Sequence, residues 1–291
     1  MNFLIILLAV AAEFMVSSFD QWRSAPWSLQ WANWLTGIGR RFSWWQGAPA
    51  VALIIALPLI AAAGVLSMLD AMSPLLGYVA AFGVLLFAFG PEDLTREVDV
   101  YKSILAGAAD GDINPPAFVA AARGTDLGAP SGDAQFDATR AELAALALAA
   151  DRAWFQPLFW FFILGPIGAI AYRLVANLRR YEDGGEGVAA ALAEVREAIE
   201  WLPARITVLL LGVAGTLVPV LDSARAVGVM RWRNSGNLVA CAALAAADNG
   251  RIHEVIGGDV RIYRINFMLA LLKRVLTGWL VVIAAAALLL A

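Results

Sequence analysis

The sequence contains very few of the residues on which metalloenzymes and disulfide-bonded proteins depend. It contains one cysteine, Cys241, and one histidine, His253, among 291 residues. A disulfide framework, a zinc site and a thiol–imidazole pair are therefore excluded. Only 15% of the residues are charged, and the formal net charge is −3, so the basic footprint of a nucleic-acid-binding protein is missing. No Walker loop and no dinucleotide-binding glycine motif is present either.

Apolar residues, by contrast, make up 61% of the chain. A membrane-crossing helix needs about 20 largely apolar residues, and four runs are predicted to cross fully. They are residues 2–16, 49–68, 75–89 and 276–291. Two further runs, 155–176 and 206–221, contain glycine and proline and are spans, half-spans or re-entrant hairpins. The predicted fold class is an all-α, polytopic membrane protein in contact with the lipid bilayer.

The basic residues indicate how the chain is oriented, because Lys and Arg gather in short cytoplasmic loops. None of the 21 precedes Arg23 or follows Arg274, and none lies between residues 49 and 89. With four spans, this pattern predicts a bacterial inner-membrane protein with both termini in the periplasm. The sequence divides into an N-terminal membrane part, a polar cytoplasmic helical segment, a part with broken helices and basic polar segments, and a C-terminal transmembrane helix. Their ranges are 1–89, 90–153, 154–266 and 267–291.

Cytoplasmic amphipathic helices are predicted between the spans. Four apolar residues recur with helical spacing in the first, namely Leu94, Val98, Tyr101 and Leu105. A second is predicted over 188–202, with Glu200 on its polar side. The acidic residues of 92–99 either complement the dipole of the first helix or hold Mg²⁺.

Six of the eleven tryptophans lie within 24 residues: Trp22, Trp27, Trp31, Trp34, Trp44 and Trp45. Indole rings are favoured at the lipid headgroup level, because they are apolar and also carry a hydrogen-bond donor. The prediction is an interfacial anchor. An aromatic platform for a ligand is the alternative.

A few charges close to the apolar runs are candidates for function. Glu13 ends an apolar helix, and it is either a functional carboxylate or a residue that reaches the interface. Arg152, Arg173 and Arg205 border the two broken runs. Their guanidiniums either converge on one phosphate or carboxylate group or pair singly with lipid and with glutamates. The arginines of 222–266 likewise suit anionic headgroups or an anionic ligand.

Three motifs in this region resemble the CobD/CbiB superfamily of adenosylcobinamide-phosphate synthases. They are WFQPLFWFFILG at 154–165, GAIAYR at 168–173 and WLPARI at 201–206. In layout, and in the arginine at 152, the chain is more similar to the AmpE-like branch. The resemblance adds Tyr172 to the candidate ligand-binding residues Glu13, Arg152, Arg173 and Arg205.

Departures from the synthase pattern bear on activity. Acidic or amide positions of the synthases are Leu148, Ala149 and Arg152 in this sequence. A synthase that uses ATP and Mg²⁺ needs carboxylates to hold the metal. The resemblance therefore implies an AmpE-type regulatory protein, linked to β-lactamase induction and peptidoglycan recycling, with a cytosolic amidase or a muropeptide as partner. It implies no catalytic residue, no metal and no cofactor.

Two alternatives stay open. The first is a cobalamin-biosynthesis enzyme of the synthase class, with ATP and Mg²⁺. The second is a small transporter, which needs charges inside several spans, where only Glu13 comes close.

Overall fold

A computed structural model describes residues 2–15, 27–42, 45, 47–89, 94–107, 117–122, 124–128, 132–181, 184–248 and 260–289. The α-helices are α1 Asn2–Met15, α2 Trp27–Gly39, α3 Ala48–Met72, α4 Pro74–Ala88, α5 Leu94–Leu105, α6 Ala134–Ala150, α7 Gln156–Asn177, α8 Glu186–Ala214, α9 Leu217–Val227, α10 Ser235–Ala247 and α11 Val260–Leu289. A π-helical turn, Asp151–Phe155, joins α6 to α7. No strand occurs in these ranges, so the all-α class is confirmed.

The chain forms two compact units, each built from two segments that are distant in sequence. Unit 1 contains Met1–Glu92 and Gln156–Glu200. Unit 2 contains Asp93–Phe155 and Trp201–Ala291. The predicted division into four consecutive parts did not anticipate this arrangement, because it followed changes in composition along the chain rather than contacts.

Three helical segments among the described residues are long and apolar enough to cross a membrane. They are Ala48–Met72, Ala134–Asn177 and Val260–Leu289. In the most apolar window of α3, only 11% of the residues are buried. Residues such as Ile60 and Met68 are therefore exposed on the surface of the protein itself. A helix whose only charged residue is Asp70, near its C-terminal end, and whose apolar residues are exposed in this way is typical of contact with lipid, and the chain is a membrane protein.

Helix lengths differ from the predicted spans at two places. Helix α1 has 14 residues and α4 has 15. At about 1.5 Å per residue, each reaches about 22 Å, less than the bilayer core of about 30 Å. The count of four full crossings therefore stays a prediction. Helix α6 was assigned to a polar cytoplasmic segment, but its charges end at Glu142, and the apolar 143–150 continues into α7.

Both runs predicted to be broken are interrupted. Helix α7 kinks at Gly165, which has φ 65° and ψ −152°. Glycine tolerates this conformation, and Pro166 disfavours a helical conformation in the residue before it. The other run is interrupted between the end of α8 at Ala214 and the start of α9 at Leu217.

Helices are present at both places where amphipathic helices were predicted, and their cytoplasmic location stays a prediction. Leu94, Val98 and Tyr101 are buried along α5. Val188 and Leu192 are buried along α8. Glu200 was predicted on the polar side but is only 7% exposed, because it forms an ion pair with Arg179.

The core of unit 1 includes one of the six clustered tryptophans. Trp45 is 7% exposed and packs in a cluster with Ile54, Leu174 and Tyr181. The Tyr181 hydroxyl lies 2.5 Å from the hydroxyl of Thr36 and donates to the carbonyl of Ala32. Trp45 is therefore a core residue, and its assignment to the interfacial anchor is wrong.

The other tryptophans divide between exposed and partly buried positions. Trp27 and Trp34 are 42% and 58% exposed, as an interfacial position requires. Trp31 is half-buried and donates from Nε1 to the carbonyl of Ile54 at 3.1 Å. Trp22 and Trp44 lie outside the described residues.

The packing of Trp45 predicts a specific effect of a small substitution. A Cβ at Gly39 would overlap the Trp45 ring, whereas a Cβ at Gly37 on the same helix meets no heavy atom within 4 Å. We expect Gly39→Ala to lower the free energy of unfolding by about 1–3 kcal/mol. Gly37→Ala should raise it by about 0.5–1 kcal/mol, through helix propensity. Thermal unfolding in detergent compares the two variants, and equal effects would contradict the packing described.

A buried polar cluster joins three helices of unit 2. The Tyr101 hydroxyl donates to Glu142 Oε1 at 2.9 Å and accepts from Arg261 Nη2 at 2.6 Å. Arg261 forms an ion pair with Glu142. Burial, followed by the hydrogen bond to the Glu142 carboxylate, raises the pKa of Tyr101 to about 12.

This shift predicts a pH dependence of stability. Because the folded pKa of Tyr101 is raised above its unfolded value, the folded state holds the phenol proton more tightly. The stabilisation is complete below about pH 10 and is lost as the pH rises toward 12. Thermal unfolding of wild type and Tyr101→Phe across this range should show a steeper fall for wild type. Parallel curves would contradict the assignment.

Candidate anion-binding site

Unit 2 contains a cavity of about 950 Å³, here called the arginine cavity. Its charged lining residues are Arg140, Arg231, Arg233, Arg264, Asp126 and Asp248, which give a formal charge of +2. Phe136 and Trp232 add aromatic surface. A positive, partly apolar cavity of this size suits a small anionic molecule.

One wall of the cavity is the segment 228–234, which connects α9 to α10 and is here called the Arg205 loop. It carries Arg231, Trp232 and Arg233. Gly228 has φ 92°, and Arg233 has φ 61°. Left-handed backbone costs a residue with a side chain about 1–2 kcal/mol, so the surrounding contacts must hold Arg233 in place.

Arg205 supplies most of these contacts. Its Nε donates to the carbonyl of Val229 at 2.9 Å, and its Nη2 donates to the carbonyl of Arg231 at 2.9 Å. Nη2 also donates to Asn234 Oδ1 at 2.9 Å. Nη1 donates to the carbonyl of Trp201 and to Ser235 Oγ, both at 2.8 Å. All five guanidinium donors are thus used, and four of the five bonds go to residues of the Arg205 loop or to its junction with α10.

Asn234 closes the Arg205 loop from the other side. It is 7% exposed, and its Nδ2 donates to the carbonyl of Gly228 at 2.7 Å. The guanidinium of Arg205 also lies 4.3 Å from the centroid of the Trp201 ring. The loop is therefore fixed by a largely buried network in which every donor of the Arg205 guanidinium is used, and such a network favours a single conformation of the wall.

The opposite wall is formed by α6 and the segment 124–128. Asp133 caps α6 by accepting from the backbone N–H groups of Gln135 and Phe136, which places Phe136 at the start of the helix. The guanidiniums of Arg140 and Arg264 lie 6.0 and 5.3 Å from the centroid of the Phe136 ring. Arg140 Nη2 also donates to the carbonyl of Leu127 at 2.8 Å, and so ties segment 124–128 to α6.

Cys241 also lines the arginine cavity. Its Sγ lies 3.7 Å from the carbonyl oxygen of Asp126. Burial, followed by the nearby charge of Asp126, raises the pKa of the Cys241 thiol. The thiol is therefore protonated at neutral pH and is a poor nucleophile.

The predicted ligand-binding residues are divided between the two units. Glu13, half-buried on α1, belongs to unit 1, as do Tyr172 and Arg173, which are 2% and 8% exposed on α7. Arg152, half-buried in the π-helical turn, and Arg205 belong to unit 2. Because all the donors of Arg205 are used within the protein, it acts on loop structure, whereas the sequence suggested direct contact with an anion. The convergence of the three arginines stays a prediction.

The arginine cavity was not predicted from the sequence, although some of its arginines belong to a region that was noted there. The high arginine content of 222–266 includes Arg231, Arg233 and Arg264. Arg140 gave no signal, because its position opposite them depends on the packing of α6 against α10.

Asp151 was also missed. It is 4% exposed and accepts a hydrogen bond from Thr207 Oγ1 at 2.9 Å. The motif comparison placed Arg152 at an acidic position of the synthases, and Asp151 precedes it in the π-helical turn. A buried carboxylate therefore lies next to the position of Arg152 in this chain.

The described residues contain no metal centre built from protein ligands alone. No group of three or more His, Cys, Asp or Glu side chains in those ranges is arranged to hold a metal ion. Asp126 and Asp248 both line the arginine cavity, but four arginines also line it, and its formal charge is therefore positive.

Comparison with curated proteins shows a similarity over about half of the chain. A protein of Chromobacterium violaceum described as "Cobalamin biosynthesis protein CobD" is 29% identical to this chain over 176 residues. The chain is similar to CobD. The match covers 56% of this chain and 51% of the relative, so the chain spans about half the length of the curated relative it matches. No family model and no solved structure matches the chain. The similarity supports the CobD/CbiB superfamily and not, in particular, its AmpE-like branch.

Proposed function

We propose that this chain is a bacterial inner-membrane protein of the CobD/CbiB type that acts in corrinoid metabolism. The observation that carries the proposal is the arginine cavity, which offers a positive, partly aromatic site for an anionic small molecule. The similarity to CobD gives that anion a metabolic context. The proposal assigns no metal ligand, because no group of three or more His, Cys, Asp or Glu side chains occurs among the described residues, and Mg²⁺ needs only one or two carboxylates when substrate phosphates supply its other ligands.

Complementation tests this proposal. A bacterial strain that lacks its own adenosylcobinamide-phosphate synthase cannot make cobalamin, and expression of the chain should restore its growth without added cobalamin. An R231Q/R233Q variant should restore growth less well, because it removes two cavity charges. R225Q is the matched control, since Arg225 is exposed and pairs with Asp222 outside the cavity lining. Wild-type protein that accumulates in the membrane without restoring growth would make the proposal wrong.

An AmpE-type regulatory function is the second candidate. It is favoured by the apolar residues at synthase polar positions, of which Leu148 is 2% exposed in unit 2. In this case the cavity would bind a muropeptide-type ligand, or the protein would work with a cytosolic cell-wall amidase. Deletion of the gene should then change β-lactamase induction by a β-lactam and leave cobalamin synthesis intact. The opposite pattern would favour the corrinoid function.

We also propose that both termini face the periplasm and that residues 120 and 190 face the cytoplasm, which follows from the distribution of basic residues. Fusions at residue 120 or 190 should be active with a cytoplasmic reporter and inactive with alkaline phosphatase, which folds in the periplasm. Phosphatase activity at either position would overturn this orientation.

A further inference from the structure

The arginine cavity has three properties that together restrict its ligand. The first is charge. Its four arginines and two aspartates leave a formal charge of +2, which matches the dianion of a phosphate monoester. One guanidinium group can donate two parallel hydrogen bonds to phosphate oxygens. These charged hydrogen bonds are shorter and stronger than those of neutral donors.

The second property is an unused donor. The Nε of Arg264 is buried and has no hydrogen-bond partner within the part of the chain that the structure describes. A buried donor without an acceptor costs about 1–3 kcal/mol. Arg264 lines the cavity, and a small rotation of its side chain on ligand binding would bring this donor to an acceptor oxygen of the ligand.

The third property is apolar surface beside the charge. Phe136 and Trp232 line the cavity and are 39% and 48% exposed. Leu143, Val227 and Leu244 extend this surface. The site therefore favours a molecule in which a phosphate group is attached to an apolar or planar part. Its volume of about 950 Å³ indicates a small molecule.

We infer that the arginine cavity binds a phosphate ester, and that Arg205 is a positioning residue for this site. Arg205 does not line the cavity. It acts through the Arg205 loop, since it bonds the backbone carbonyls of Val229 and Arg231 and fixes Asn234. The loop is thus ordered before the ligand arrives, which lowers the entropic cost of binding. The inference deepens the proposed function and rests on it only for the role of the ligand.

Cys241 provides a reporter for the test, because it is the one cysteine of the chain and it lines the cavity. The full-length protein is purified in detergent without phospholipid. The rate of maleimide labelling of Cys241 is then measured at pH 8 in titrations with inorganic phosphate, pyrophosphate, and sodium chloride at equal ionic strength. A parallel arm adds phosphatidylglycerol or phosphatidylcholine to the micelles. We expect phosphate or pyrophosphate, but not sodium chloride, to slow labelling in a saturable way.

Variants connect the protection to the residues. R231Q/R233Q should raise the half-saturating pyrophosphate concentration at least about tenfold, because charged hydrogen bonds are worth about 1.5–3 kcal/mol each. R225Q should leave it unchanged. R205K keeps the charge but not the five bonds, and it should raise that concentration while leaving the labelling rate without ligand close to that of wild type.

Each outcome decides the proposal. Protection by soluble phosphate or pyrophosphate supports a soluble phosphate ester, and protection by phosphatidylglycerol alone supports a lipid headgroup as the source of the same phosphate. No protection in any arm, equal protection by sodium chloride, or protection that persists in R231Q/R233Q would overturn the site. Unchanged affinity in R205K would overturn the role of Arg205. Because the assay measures binding alone, protection without complementation would contradict the corrinoid function and leave this site standing.

Discussion

Replacement of Arg205 by methionine should lower the thermal unfolding midpoint in detergent by about 10 °C. Methionine fills a similar space but donates no hydrogen bond, so five acceptors lose their partner. Buried acceptors left in this way cost about 1–3 kcal/mol each, and partial rehydration keeps the total near about 4 kcal/mol. The left-handed backbone of Arg233 then also loses its support.

Two controls separate this effect from a simple loss of charge. Arg225→Met removes an exposed arginine, 73% exposed at its side chain, and should change the midpoint by less than about 2 °C. Arg205→Lys should fall between wild type and methionine, because an ammonium group reaches only some of the acceptors. An Arg205→Met midpoint equal to that of Arg225→Met would show that the network does not hold the loop.

The second large effect is expected at the cluster of Tyr101, Glu142 and Arg261. Arg261→Met should lower the free energy of unfolding by about 3–5 kcal/mol, since it leaves the Glu142 carboxylate buried without its cation. The side chains of Glu142 and Arg261 are 8% and 27% exposed, so solvent screens the pair only weakly. Titration of the folded protein with a denaturing detergent measures the free energy of unfolding.

A double variant identifies the cause of that loss. Glu142→Leu together with Arg261→Met removes both charges, and it should recover more than half of the stability lost by Arg261→Met alone. Arg225→Met is the exposed control, because the side chains of Arg225 and its partner Asp222 are 73% and 65% exposed, and it should cost less than about 1 kcal/mol. A double variant as unstable as Arg261→Met would contradict an uncompensated buried charge as the reason.

Much of the fold could be predicted from local patterns in the sequence. The spacing of Leu94, Val98 and Tyr101 predicted α5 and its buried face, and the Gly165-Pro166 pair predicted the kink in α7. These features depend on backbone preferences and on neighbours within a few residues. The helical class followed from the same kind of evidence.

The features that could not be predicted depend on packing between residues that are distant in sequence. Trp45 belongs to a core because helices distant in sequence meet around it, and Glu200 is buried because Arg179 lies opposite. The arginine cavity likewise joins residues 126–143 to residues 223–248 and 264. The importance of Arg205 was visible in the motif WLPARI, but its partners were not, since an arginine gives no indication in sequence of which carbonyls it will bond.

The central claim is that the cavity of unit 2 is an anion-binding site whose wall is held by Arg205. Equilibrium binding of radiolabelled pyrophosphate to the purified wild-type, R231Q/R233Q and R225Q proteins tests it most directly. The account predicts one site per chain, with affinity lowered at least about tenfold in R231Q/R233Q and unchanged in R225Q. Equal affinity in all three proteins, or no binding to wild type, would contradict it.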